Sequence, residues 1–476
     1  MRKILTLLLI ALCLTAAAQN TSNVAKQGQL YITHITVIDT NTGKEATDQT
    51  VVISDGKISD VAEGKNVAVS TRARIVDGRG KFLIPGLWDM HVHAVFPERI
   101  DSMFPMFVAN GVLGIRDMGT SMPLSDIARL RKEIESGSRV GPRIVAAGPI
   151  LDGRPKPLRP NFLAITTPEA GRAEVDTLKS DGADLIKVYS WLSKDSFLAI
   201  ANEAKKQKIL FGGHVPFSVP VLEASDAGMK SMEHLFGVVL ACSTREDELR
   251  SEMLKGGPSL PRDTRLRLEL HEAAASYNDR KAVSIFTHLA KNKNWQVPTL
   301  DVLVPYVRSF DTSITTAPRI KYVPPSAVQR WTEEAKSFTG GATTAKTFEK
   351  LAGIVSGMQR AGVPIMAGTD AAWYQPYTYA GFSLHDELGL LVRAGLTPAQ
   401  ALQSATIGPA RFLGRGKDLG SIEKGKLADL VLLDANPLSD ISNTQRINTV
   451  IINGRVLDRK ALDSLLTDAE NAVKNR

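Results

Sequence analysis

Between about Phe82 and Leu413 the chain alternates short apolar runs with amphipathic helical stretches, and this alternation constrains the fold more than any other feature. Eight runs read as strands: "FLIPGLWDMHVH", "GVLGIRDMG", "PRIVAAG", "ADLIKVYSW", "ILFGGHV", "SMEHL", "WQVPTLDVL" and "VPIMAGTD". Segments such as "LSDIARLRKEIESG", "PEAGRAEVDTLKSDG" and "SFLAIANEAKKQK" lie between them with helical spacing. Apolar strands joined by amphipathic helices belong to parallel sheets, and eight such units in succession predict an α/β fold, a closed (β/α)8 TIM barrel over 82–413. Two long polar, helix-prone segments, 243–293 and 305–352, exceed a minimal crossover and are expected to cover the barrel mouth.

Both ends have a different texture. Alternating apolar residues from Leu30, with Asp55-Gly56 and Asp77-Gly78 as turn signals, predict hairpins. "GSIEKGKLADLVLLD" and "INTVIINGRVLD" repeat this pattern near the C-terminus. Residues 25–81 and 414–460 are therefore expected to meet in one small composite β-sandwich, with the barrel inserted between them.

The first residues read as a targeting segment. Arg2 and Lys3, an apolar run from Ile4, and Ala16 to Ala18 predict a secretory signal peptide over 1–18, hence a periplasmic or secreted bacterial protein. The apolar run is too short to span a bilayer comfortably, so no stable membrane insertion is expected after its removal. Cleavage would take Cys13, leaving Cys242 alone as a small core residue, and would lower the formal charge from +8 to +6. The basic residues form no block and are not interleaved with aromatics, which argues against nucleic acid as a partner.

The chemistry is indicated by polar residues at strand ends. His91 and His93 close the first strand two residues apart, so their side chains share a face. Lys187, His214, His234 and Asp370 stand at the ends of the fourth, fifth, sixth and eighth strands. The C-terminal ends of barrel strands converge on one site, so these six residues are read as one metal centre. A lysine inside an apolar strand is costly when charged and calls for a partner or a modification.

"GLWDMHVH", "DLIKVYSW", "GGHVP", "MEHL" and "AGTDA" resemble the amidohydrolase superfamily of metal-dependent hydrolases. The nearest branch holds imidazolonepropionase-like proteins and binuclear Xaa-Pro dipeptidases (prolidases). The tail "GLTPAQALQSATIGPARFLG" extends the resemblance over nearly the whole mature chain. It implies that His91, His93 and Asp370 hold one divalent ion and His214 and His234 a second. Lys187, carboxylated on its amine, would bridge them. Zinc suits such ligands best. A bridging water of lowered pKa would attack an amide bond, with Asp370 as general acid and base. Deaminase-like members lack the lysine and carry a glutamate three residues after the strand-five histidine, where this chain has Phe217.

The expected substrate is a small molecule, such as a dipeptide or an N-acyl amino acid, with a carboxylate. Arg116, Arg154, Tyr189 and Tyr374 are candidate contacts, and Lys156 and Arg159 add positive charge at the mouth. The alternatives are a deaminase or cyclic-amide hydrolase of the same superfamily, and a non-catalytic binding protein on this fold. Glu233 is expected to face away from His234, and His34, His271, His288 and His385 are assigned no chemistry.

Overall fold

The computed structural model describes residues 29–63, 73–308, 311–337 and 345–474. The expected signal segment 1–18 lies outside them, as do 25–28 and 64–72 of the composite β-unit and parts of the inserted segment 305–352.

The N-terminal strands are β1 (Leu30–Asp39), β2 (Lys44–Ser54), β3 (Lys57–Glu63), β4 (Arg74–Asp77) and β5 (Phe82–Pro85). Asp55 and Gly56 both take positive φ, 51° and 72°, which closes the tight β2–β3 hairpin their sequence predicts. Asp77-Gly78 does not make a hairpin. Instead β4 and β5 lie one after the other along β1, both parallel to it.

Nine short strands follow: β6 (Leu87–Val92), β7 (Val112–Asp117), β8 (Arg143–Ala146), β9 (Ile150–Asp152), β10 (Phe162–Ala164), β11 (Leu185–Val188), β12 (Leu210–Gly213), β13 (Ser231–Glu233) and β14 (Trp295–Val297). The C-terminal strands are β15 (Leu430–Leu433), β16 (Ile447–Ile452) and β17 (Arg455–Leu457). β5 pairs with β15 antiparallel, so both chain ends share one ladder. The strands of the composite unit are joined by one continuous run of pairings, β17-β16-β15-β5-β1-β2-β3 with β4 also on β1. Ile32, Ile35, Ile53, Leu83, Leu430 and Ile451 are among the residues of its apolar core.

The middle of the chain forms two parallel sheets, β6-β7-β8 and β10-β9-β11-β12-β13-β14. The Asp184 amide donates to Ala146 at 3.0 Å between them. At the far side, isolated parallel bridges join Gln296 to Ile365 and Val92 to Ala371. The run 363–370, expected as an eighth strand, thus lies between β14 and β6 without a continuous ladder. Pro364 supplies no N–H, and Asp370 turns to φ 56°. The helices between strands follow their sequence signals. Over Pro168–Asp181, Thr167 caps the start, Gly182 at φ 96° ends it, and Val175 and Leu178 are buried. A terminal helix, Arg459–Lys474, falls beyond the expected boundary at 460 and packs on the helix Ile100–Ala109. Among the described residues no helix is long and apolar enough to cross a membrane.

Candidate active site

The six residues singled out at strand ends come together. His91 is the penultimate residue of β6 and His93 follows the strand, with ring centroids 5.5 Å apart. His234 stands 4.6 Å from His91 and 5.0 Å from His214, so the four imidazoles form one arc. Asp370 Oδ1 lies 3.5 Å from His91 Nε2 and 3.4 Å from His93 Nε2. Its amide donates to the His91 carbonyl at 2.7 Å, which ties 363–370 to β6 at the site. Lys187 is buried on β11, where Gly213 makes room for it. A Cβ at 213 would meet Lys187 Cδ at 2.9 Å and the Val188 carbonyl oxygen at 2.2 Å.

Each ring is held from behind through Nδ1. The partners are Glu233 for His91 (2.8 Å), the Gly119 carbonyl for His93 (3.0 Å), Ser190 for His214 (2.8 Å) and Thr299 for His234 (2.7 Å). The partners of His91 and His93 only accept, so Nδ1 carries the proton and Nε2 presents a lone pair. Burial lowers the pKa of all four imidazoles, that of His93 to about 3, and keeps them in the neutral form a metal requires. Burial also brings Lys187 down to about 8 and pushes Asp370 up to about 7, against the opposing pull of each on the other. Among the described residues His91 Nε2 and Lys187 Nζ are buried without a hydrogen-bond partner. Donor atoms of His91, His93 and Asp370 all lie within 4.8 Å of one another. Neutral imidazoles, a carboxylate and an orphaned Nε2 fit a divalent cation.

Two expectations are corrected. Arg116 does not face a substrate. It is fully buried, and it donates to both oxygens of Glu233 at 3.0 Å, to Ser231 at 2.8 Å and to the Met90 carbonyl at 2.5 Å. Glu233 does not face away from the centre. Ser231 and Glu233 point inward together, as i and i+2 of β13 must, and Glu233 reaches His91. His234 reaches the same centre because it takes φ 62° and Leu235 φ 61°, which breaks strand alternation at that point.

A cavity of about 500 Å³ opens onto the centre and is lined by His93, His214, His234 and Asp370. Arg154, Tyr189 and Tyr374 line it as well. The Tyr189 ring stacks 4.0 Å from that of His214, Tyr374 stands 5.6 Å from His93, and Arg154 pairs with Asp152 at 3.0 Å. The inserted segments contribute Leu260, Arg262, Arg265, Tyr306 and Glu334, so parts of both do reach the mouth. Arg262 and Glu334, 72 residues apart, form an ion pair there that no local pattern reveals. His385 is structural as expected, with its nitrogens on Thr444 and the Asn110 carbonyl.

Residues 341–457 match the Amidohydrolase family. The imidazolonepropionase of Geobacillus sp. (strain WCH70) is 45% identical over 73 residues, 15% of this chain and 17% of that protein. The chain thus matches less than a fifth of this curated relative's length. A structure described as a putative prolidase from Bifidobacterium longum superposes with a TM-score of 0.65 at 25% identity, over 93% of this chain and 99% of that one. The bottromycin amidohydrolase AH shares the fold with a TM-score of 0.74 at 22% identity, over 93% of this chain and 90% of that one. These matches place the chain's resemblance in the amidohydrolase superfamily. The branch they support is the imidazolonepropionase- and prolidase-like one, whose named members are hydrolases of C–N bonds.

Proposed function

We propose that the protein is an exported, binuclear metal-dependent hydrolase that cleaves an amide C–N bond, on a closed (β/α)8 barrel flanked by the composite β-unit. One observation carries this reading: four buried imidazoles, each held through Nδ1, surround a buried lysine and a carboxylate at the floor of a cavity. His91, His93 and Asp370 would hold one ion, and His214 and His234 the other. Lys187, as its carbamate, would bridge them, which turns an orphaned buried amine into an anionic ligand. Lewis acidity toward a water and toward the scissile carbonyl is what divalent ions, zinc by preference, supply in such a site.

The chain's own residues do the rest. Asp370, turned toward both histidines by its positive φ, takes a proton from the attacking water and returns it to the departing amine. The buried walls exclude bulk water, and Tyr189 and Tyr374 line the cavity beside the centre. A deaminase is disfavoured by Lys187 and by Phe217, which is buried edge-on against Trp191 where such members carry an acid, whereas a cyclic-amide hydrolase stays the alternative reading.

Purified protein is expected to hold close to two divalent ions per chain by elemental analysis. It should hydrolyse members of a dipeptide and N-acyl amino acid library, and Asp370→Asn should lower kcat by at least ~100-fold. Full activity in that variant would refute the role given to Asp370. Ligand binding without turnover across the library would favour a non-catalytic protein.

A further inference from the structure

The arc of four imidazoles has unlike ends. At one, Asp370 lies 3.5 Å from His91 and 3.4 Å from His93. At the other, the Phe236 ring stands 5.0 Å from His214 and 5.2 Å from His234. Leu260, Leu266, Leu270, Val302 and Leu303 line the cavity together with Phe236. Two connections hold them at that end. Thr299 bonds His234 Nδ1 at 2.7 Å, and its carbonyl accepts from the Val302 amide at 3.3 Å, which fixes the turn carrying Val302 and Leu303. The helix Arg262–Leu266 runs into a π-helical stretch, Arg267–Glu272, that packs on the helix Val238–Ala241 just after Phe236. Within that stretch buried Glu269 accepts from the Gly237 amide. Turns of π type are rare and gather at functional sites. The cations of the same helix are matched elsewhere, Arg262 by Glu334 and the Tyr306 hydroxyl, while Arg265 lies beside Glu269.

We propose that Phe236, Leu260, Leu266, Leu270, Val302 and Leu303 form a subsite for the acyl arm of the substrate, and that the substrates are amides of extended apolar acyl groups. This rests on the hydrolase reading above and narrows it to a substrate class. The two ends of the arc assign the arms. The departing amine takes its proton from Asp370 and so lies within hydrogen-bond reach of that residue. The acyl arm diverges from the nitrogen at the carbonyl carbon, away from Asp370 and toward Phe236.

Size and surface support it too. At about 30 Å³ per water-sized group, a cavity of about 500 Å³ has room for on the order of 15 such groups, well beyond an acetylated amino acid. Leu260 and Val302 are only half-buried, so an apolar chain laid against them removes further apolar surface from water.

The test is a series of N-acyl-L-alanines from acetyl to hexanoyl, set beside N-acetyl derivatives of L-alanine through L-norleucine, on the zinc-loaded protein. In the acyl series kcat/KM should rise ~3- to 4-fold for each added methylene, about 100-fold overall. A flat acyl series, or a rise confined to the amine series, would overturn the subsite. Leu260→Asn and Val302→Asn, at half-buried positions where substitution leaves little void, should each lower the hexanoyl-to-acetyl ratio ~10-fold, mostly through KM. Equal losses on both chain lengths, or an unchanged ratio in both variants, would overturn it as well. In parallel, titration calorimetry would follow binding of hexanoate and acetate to the zinc-loaded protein. Tighter binding of hexanoate that is lost in Leu260→Asn, in a chain that hydrolyses nothing, would retire the hydrolase and keep the apolar subsite. Hydrolysis with no dependence on acyl length would do the reverse.

Discussion

Arg116→Met tests whether the buried ion pair behind His91 builds the centre. The substitution nearly preserves the aliphatic volume but removes two hydrogen bonds to Glu233, one to Ser231 and one to the Met90 carbonyl. Arg116 and Glu233 are both fully buried, so Glu233 would be left as an uncompensated anion beside His91. Removing one partner of a buried pair costs about 3–5 kcal/mol. Freeing a carboxylate that orients a metal-bound histidine weakens metal binding ~10- to 100-fold.

The double variant Arg116→Met, Glu233→Gln should recover much of the stability, because no charge is left buried, yet it should retain part of the metal defect, since a neutral amide holds His91 less firmly. Urea unfolding would report the first quantity. Elemental analysis after dialysis against graded chelator would report the second. Arg116→Met within about 0.5 kcal/mol of the parent, with unchanged metal retention, would refute the reasoning.

Lys187→Met should lower metal content from about two ions per chain toward one while leaving the stability of the metal-free protein equal or higher by about 1–3 kcal/mol, because it removes a buried amine that has no hydrogen-bond partner among the described residues. Elemental analysis paired with thermal unfolding checks both halves. A pH effect should come from Asp301 and Glu387, two buried carboxyls that desolvation pushes up to about 8 each. Unfolded carboxyls ionise near pH 4, so between there and about pH 8 the folded state binds more protons than the unfolded state. Their contribution is therefore complete at low pH and lost as pH rises, by up to about 1.4 kcal/mol per pH unit for each proton. Urea midpoints at pH 5 and pH 8.5 should show this slope, and Asp301→Asn with Glu387→Gln should flatten it.

The candidate site was legible because it obeys a local rule: a polar residue at the end of an apolar strand has few structural reasons to be there. His91, His93, Lys187, His214, His234 and Asp370 all stand where that rule puts them. Arg116 obeys the same rule and breaks the inference, since the residue that satisfies it, Glu233, lies 117 residues away. The hairpin expected at Asp77-Gly78 failed because the neighbour of both β4 and β5 is β1, a choice made by pairing and not by the turn.

Residue types and strand periodicity thus determined which side chains could hold metal and that parallel βα units would carry them. Tertiary structure alone decided which way Glu233 and His234 face, and that strands from both sides of the parallel sheets join one composite sheet. The physical reason is range. Alternation and capping act within a few residues, whereas ion pairs, positive-φ turns and ring stacking at the mouth depend on which distant strands and loops the fold brings together.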